Sequence, residues 1–292
     1  TLVVDDIPYE VTTFRRDIAT DGRRAVVAFA DTMEQDALRR DFTMNALYCG
    51  PDGVVMDPLG GLPDLTARRF RFIEDADRRI KEDYLRILRF FRFHAWYGGD
   101  EMDVDGYAAC ADNVDGIDSL SAERLGQEML KLLSAPDPAP ATASMSACGA
   151  LLRVIPGAGS NTLAVLVHVE QAAGLAPDPI RRLAALGGDP ERLRLSNAQQ
   201  RAVDVRMLDL PLSELAYRHG ADAAMDRYLI EQASMCQPVD AARLDDFAKA
   251  AAQVFPLKAA DLMPAISGAD LGNALKTAEA KLWAISSALP PA

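Results

Sequence analysis

Arg39-Arg40-Asp41-Phe42-Thr43-Met44-Asn45-Ala46-Leu47 and Glu82-Asp83-Tyr84-Leu85-Arg86-Ile87-Leu88-Arg89-Phe90-Phe91-Arg92-Phe93 are the two stretches on which the reading of this chain turns. The second sets one carboxylate and three guanidiniums at steps of three residues, with large apolar side chains between them. Its periodicity predicts a single helix from Lys81 to Tyr97, stopped by Gly98-Gly99. On such a helix each three-residue step lags a full turn by about 60°. Asp83, Arg86, Arg89 and Arg92 would then spiral across half the circumference, with Ile87, Leu88, Phe90, Phe91 and Ala95 taking much of the rest. Ionised Asp83 accepts hydrogen bonds, whereas the arginines only donate them. A surface helix with scattered salt bridges is one reading. Against it stand Phe90, Phe91 and Phe93, which imply guanidiniums held rigid against a core, as a ligand site requires. That set could read the edge of a nucleobase and hold a triphosphate at once.

The first stretch suits a turn leading into a strand or short helix. Arg40 is a candidate phosphate clamp, and Asp41 a carboxylate that orients an arginine through a bidentate pair. Arg39, Asn45 and Glu82 are candidate supporting groups. A solvated charge cluster is the plain alternative for Arg-Arg-Asp. Glu10, in a β-type run beside Thr12-Thr13, is a candidate metal ligand, with an exposed strand residue as the rival reading. His94, His168 and His219 have no partners at ligand spacing and read as structural or surface residues.

Charge is distributed unevenly. The chain carries a formal −12, but Arg68 to Arg92 holds nine Lys/Arg against five Asp/Glu, a local +4 that leaves −16 for the remainder. A basic strip on an acidic body suits a phosphate-bearing ligand and argues against sequence-blind coating of nucleic acid. With 292 residues, 49% hydrophobic and 25% charged, the composition is that of a globular protein with a sizeable core. No apolar run approaches the roughly 18 residues of a membrane span. Four scattered cysteines give neither a zinc site nor a disulfide framework, so reduced thiols and a cytoplasmic setting are expected. The opening Thr-Leu-Val-Val-Asp-Asp-Ile lacks an initiator Met and signal-peptide features and reads as the middle of a strand, so a natural N-terminus further upstream is expected.

Along the chain, residues 1 to 60 read as strands and turns. Leu2-Val3-Val4 and Tyr9 to Phe14 flank a turn at Asp5-Asp6-Ile7-Pro8, Ala25 to Phe29 is another strand, and Gly50-Pro51-Asp52-Gly53 separates two more. Helices dominate from about Leu62, where Asp64 is a plausible N-cap, and Ser121 caps another. Ser134 to Ala141 is a Pro-rich break, either a linker between domains or a loop between packed helices. The composition changes most sharply near residue 62.

In fixed order, Arg39 to Leu47, Asp57-Pro-Leu-Gly-Gly-Leu-Pro-Asp64 and Glu82-Asp83-x-x-Arg86 resemble three successive motifs of the class II CCA-adding tRNA nucleotidyltransferases and bacterial poly(A) polymerases, of the polymerase β superfamily. Ser121-x-Glu123-Arg124-x-x-x-Glu128 is similar to the next motif, Glu10 to Arg15 to a head-domain strand, and Phe255-Pro-Leu-Lys-x-x-Asp261 to a tail segment. The resemblance implies an α+β protein: a mixed-sheet remnant of a nucleotidyltransferase head over 1–66, an all-α neck over 67–133, and a helical body and tail over 134–292. It implies that Arg40 contacts the incoming nucleotide and that Asp83 and Arg86 pair with the edge of ATP or CTP. Arg89 and Arg92 would help to hold the triphosphate. The implied reaction is nucleotide addition from CTP or ATP to an RNA 3′ end, tRNA foremost, with Mg²⁺ as cofactor in the full-length parent. Poly(A) addition is the runner-up, which the lack of a long basic C-terminal extension disfavours, and a non-catalytic nucleotide- or RNA-binding protein is the rival of another class. The family's Asp-x-Asp metal pair is expected upstream of Thr1, so no catalytic residue is assigned here and the chain by itself is expected to be inactive.

Overall fold

The strands lie early in the chain and are short because each is one arm of a hairpin. In the computed structural model, which describes residues 1–20, 25–254, 257–263 and 265–288 (backbone alone for 16–20, 25–27, 280 and 282–288), β1 (Leu2–Val4) pairs antiparallel with β2 (Ile7–Tyr9). Asp5 and Asp6 both take positive φ (50° and 61°), as a two-residue primed turn demands. β3 (Arg15–Thr20) pairs with β4 (Ala25–Phe29), and β5 (Tyr48–Cys49) with β6 (Val55–Met56), both antiparallel. The α+β class holds, but the expected mixed sheet does not. Among the described residues each strand pairs only with its neighbour along the chain, an arrangement that short turns select and that needs no crossover. The expected run from Tyr9 to Phe14 also breaks: Glu10 to Phe14 leave the ladder, and Glu10 is exposed.

The chain divides into two compact units, Thr1–Ser160 with Gly187–Leu195, and Asn161–Leu186 with Ser196–Ala292. In the first unit the helices are α1 (Met33–Leu38), α2 (Leu62–Thr66), α3 (Ala76–Glu82), α4 (Leu85–Tyr97), α5 (Val104–Asp112), α6 (Ala122–Leu133), α7 (Ala139–Ala147) and α8 (Ala150–Val154). Caps explain several starts. Thr32 accepts from Gln35 N, Asp75 from Arg78 N at 2.7 Å and Asp103 from Gly106 N at 2.9 Å. The Pro-rich break is a turn between α6 and α7 inside this unit, with Asp137 accepting from Ala139 N. Ser121 occupies the N-cap position of α6 without a side-chain capping bond.

Asp64 is not an N-cap. It lies inside α2, 1% exposed, and accepts from Thr43 Oγ1 (2.6 Å), Arg69 Nη2 (2.6 Å) and Arg71 Nε (2.9 Å). Asp57 does the capping instead, accepting from Gly61 N and Leu62 N. Gly61 is required here because a Cβ would stand 2.3 Å from the Thr43 carbonyl oxygen.

The second unit contains α9 (Asn161–Ala172), α10 (Pro179–Leu186), α11 (Asn197–Arg206), α12 (Leu212–His219), α13 (Ala221–Ser234), α14 (Ala241–Ala251), α15 (Ala259–Leu262) and α16 (Ala269–Ala288). Its core gathers Leu166, Leu229 and Ala233 in one cluster and Leu215, Ala224, Tyr228 and Phe247 in another. Phe255-Pro256, which opens the expected tail motif, lies outside the described residues. No helix among the described residues is long and apolar enough to cross a membrane.

Candidate functional site

An aromatic core anchors the two arginine stretches to each other. Phe42, Phe70, Phe72, Phe90 and Phe91 are each at most 2% exposed, and each fully buried ring contributes about 1.5–3 kcal/mol. Phe72 stacks on Phe90 (5.7 Å) and Phe70 on Phe93 (5.7 Å), with Phe42 between them. An isolated antiparallel bridge joins Phe42 to Phe72, with Ile73 N donating to Asp41 O and Thr43 N to Arg71 O, both at 3.0 Å. Residues 41–43 are thus laced to 71–73 directly beside α4. The Asn45 segment is a short 3-10 turn (Thr43–Ala46).

The single helix expected from Lys81 to Tyr97 is two helices. Asp83 interrupts it with an extended backbone (φ −159°, ψ 103°), closing α3 and preceding α4. The physical cause is aspartate's preference for bonding nearby backbone N–H groups over continuing a helix. Its Oδ1 accepts from Leu85 N (3.1 Å) and its carbonyl from Arg86 N (3.0 Å). Asp83 therefore does not lie on one spiral with the arginines. The break turns its carboxylate toward Arg124 of α6, whose Nη2 donates to Oδ2 at 2.6 Å.

A cleft of about 530 Å³ is lined by Arg39, Arg40, Asp41, Asn45, Asp83, Leu85, Arg86, Arg89, Phe93 and Arg124. Seven of the nine nucleotide-binding and supporting residues read from the sequence meet there. Glu82 and Arg92 do not line it. Glu82 stands behind Arg86 and accepts from its Nη1 at 2.6 Å. Arg92 turns to the buried Glu128 of α6 (Nε to Oε2, 2.5 Å) and stacks over Phe93 at 4.1 Å, because one further three-residue step carries it around the helix. Arg40 bonds Asp36 through Nε (3.2 Å) and Nη2 (3.0 Å) and donates Nη1 to Asn45 O. Arg89 bonds Asp41 Oδ2 through Nε at 2.6 Å and Asn45 Nδ2 donates to Asp41 Oδ1 at 2.8 Å, so Asp41 orients an arginine as its chemistry suggests.

Burial alone would raise the Asp41 carboxyl, but the Arg89 charge, Asn45 and the Phe42 N–H outweigh it and hold it ionised below the usual range. Asp64 follows the same logic, with Thr43, Arg69 and Arg71 overcoming its burial. The described residues do not fit magnesium. Among the described residues no group of three or more His, Cys, Asp or Glu side chains could hold a metal ion, and both carboxylates of the cleft are already engaged by arginines. Glu10 lies outside the cleft.

Three contributors escape a site reading of the sequence. Asp36 binds Arg39, Arg40, Tyr48 Oη (2.8 Å) and Arg15 N, and its i, i+3 and i, i+4 spacing to the two arginines was the available signal. Arg124 was visible only as part of the Ser121 motif. Arg79, buried on α3, had no signal beyond its spacing to Glu82.

The poly A polymerase head domain model matches residues 1–71, and a model described as the probable RNA and SrmB-binding site of polymerase A matches residues 101–160. The mitochondrial CCA tRNA nucleotidyltransferase 1 of Mus musculus is 44% identical over 132 residues, 43% of this chain and 30% of that protein. The CCA-adding enzyme of Streptococcus pyogenes is 40% identical over 144 residues, 49% of this chain and 36% of that protein. The match thus spans about a third of the length of these relatives. A crystal structure of the Bacillus stearothermophilus CCA-adding enzyme with CTP shares the fold, with a TM-score of 0.77 at 23% identity over 98% of this chain and 76% of that one. Ordered motifs, two family-model matches and aligned relatives thus agree in making this chain similar to the CCA-adding nucleotidyltransferases and poly(A) polymerases over the stretches they cover.

Proposed function

We propose that the cleft binds a nucleoside triphosphate, selects CTP and ATP by the edge of the base, and serves nucleotide addition to the 3′ end of tRNA. The observation that carries this is the convergence on one cleft of Asp83 and Arg86 with Arg39, Arg40, Arg89 and Arg124. Five guanidiniums against two carboxylates leave the lining cationic, which favours a triphosphate. Adenine and cytosine both present an amino donor beside a ring-nitrogen acceptor. A carboxylate and a guanidinium match that pair. Guanine and uracil present a carbonyl oxygen where the amino group would be and a ring N–H where the acceptor would be, so both partners meet the wrong group. Arg124 and Glu82 hold Asp83 and Arg86 in place, so little ordering remains to be done on binding.

The names of the relatives support tRNA as acceptor and CCA addition over poly(A) addition. Acceptor RNA would approach through its phosphates, so its binding weakens with salt. Magnesium-dependent transfer would draw on carboxylates other than those described, and on this reading the 292-residue chain binds and selects nucleotide without joining it to RNA. A reducing compartment such as the cytoplasm suits its four free cysteines.

Equilibrium titration of the chain with CTP, ATP, GTP and UTP tests the reading. CTP and ATP should bind more tightly than GTP and UTP, and Asp83→Ala or Arg86→Ala should reduce that preference by about 1–3 kcal/mol, the cost of leaving a buried partner unpaired. Equal losses for all four nucleotides would exclude the base-edge role.

A further inference from the structure

Arg79 closes the last turn of α3 with 4% of its surface exposed and takes no part in lining the cleft. Its guanidinium reaches in two directions. Nη1 donates to the Glu82 carboxylate and Nη2 to the backbone carbonyl of Arg40, 39 residues earlier in the chain. Its own carbonyl accepts from Arg86 Nη1 at 2.6 Å, the same nitrogen that donates to Glu82 Oε2. Arg86 Nη2 in turn lies 3.4 Å from the carbonyl of Arg39. Arg79 and Arg86 therefore grip consecutive carbonyls of the Arg39-Arg40 turn, and both groups that seat Arg86 from α3 are fixed by Arg79.

This placement is costly. Arg79 Nε is buried with no hydrogen-bond partner, the one such side-chain atom found among the described residues. Burial, the Arg86 guanidinium and then Arg78 work against its charge, outweighing Glu82 and Asp41. A well-packed apolar residue would meet neither penalty. What an apolar residue could not do is hold the Arg40 carbonyl and Glu82 together, and that join ties the phosphate-clamp turn to the base-reading arginine.

We propose that Arg79 is a positioning residue for nucleotide choice, setting Arg86 at the base edge and registering it against Arg40. The inference rests on the reading of the cleft as a CTP and ATP site. Lysine at this position keeps a charge on a flexible stem but loses the planar fork that serves two acceptors at once. The full chain and its Arg79→Lys and Arg79→Met variants are titrated with the four nucleoside triphosphates, with circular dichroism melts alongside. Expected in Arg79→Lys is a folded protein that binds CTP and ATP about tenfold more weakly, while GTP and UTP shift by less than about threefold. In the Arg79→Lys/Arg86→Ala double variant the losses should not add, whereas a merely structural role gives additive losses. Absence of any preference in the wild-type chain overturns the cleft reading and this inference with it. A wild-type preference that survives in both Arg79 variants overturns the inference alone. Should neither variant melt cooperatively, Glu82→Gln interrupts the same relay, and an intact preference there overturns it too.

Discussion

Arg39-Arg40 of the first unit and Arg181-Arg182 of the second are used in opposite ways. Arg181-Arg182 of α10 is sealed inside the second unit, with side chains 5% and 1% exposed. Glu170 accepts from Arg181 Nε (2.6 Å) and Arg182 Nε (2.8 Å), and Asp226 from Arg181 Nη1 (2.9 Å) and Arg206 Nε (2.8 Å). Arg181 Nη2 is absorbed by the Ala176 carbonyl. In the first unit, Arg39-Arg40 shares the single carboxylate of Asp36, and the side chains of Arg40, Arg89 and Arg124 keep 38%, 31% and 33% of their surface in contact with solvent. The chemistry is the same, but one network spends its donors on itself while the other leaves guanidinium surface facing a cleft. Whether paired arginines line the cleft, more than their number, separates a ligand site from architecture, and Arg86 lines it with only 11% of its side chain exposed.

The sharpest way to break that contrast is at Glu170. Removing one partner of a buried ion pair leaves an uncompensated charge, at about 3–5 kcal/mol. Glu170→Ala should therefore lower the unfolding free energy measured by urea titration by that amount, while molecules that remain folded bind CTP as wild type does. A loss below about 1 kcal/mol would mean that the second network is not the structural element described.

Asp36 is where the open network borrows from the closed one, because it is 2% exposed and supports two arginines of the cleft. Burial by itself would raise its carboxyl. The Arg15 N–H, the Tyr48 hydroxyl and the Arg39 and Arg40 guanidiniums outweigh that and lower it from 3.8 to about 2. A carboxylate depressed on folding contributes stability that is complete above its unfolded value and is lost as pH falls through the folded one. About 2 kcal/mol should therefore disappear between pH 4 and 2. In Asp36→Asn the acid limb of the stability curve should lose this part of its slope; an unchanged limb would place the support of Arg39 and Arg40 elsewhere.

Much of the site was legible because motif order and donor–acceptor chemistry are written in the chain. Arg39, Arg40, Asp41 and Asn45 meet Asp83, Arg86 and Arg89 in one cleft. The illegible part is choice of partner. Periodicity carries Asp83 smoothly into the arginine helix, and only its bonds to Leu85 N and Arg124 reveal the break. Asp64 looks like a cap by position, yet Thr43, Arg69 and Arg71 claim it once the chain has folded. The hairpins at Asp5-Asp6 and at Gly50 to Gly53 were legible from their turns, whereas the pairing of β3 with β4 was not, and the kind of sheet depends on which edges meet, which no local pattern encodes.

Arg92 gives the smallest expected effect and tests the contrast from inside a single helix. It repeats the spacing of Arg86 and Arg89, so sequence pattern groups it with the triphosphate ligands. Unlike them it does not line the cleft, and its Nε is committed to Glu128. By the rule that separates the two networks it belongs with the closed kind. Arg92→Gln keeps a donor within reach of Glu128, which also has Lys131 at 3.9 Å, and should cost about 1 kcal/mol of stability. Affinity for all four nucleotides should stay within about twofold. A uniform tenfold loss of nucleotide affinity with stability intact would return Arg92 to the phosphate site, and lining the cleft would then fail as the criterion that tells the two kinds of arginine apart.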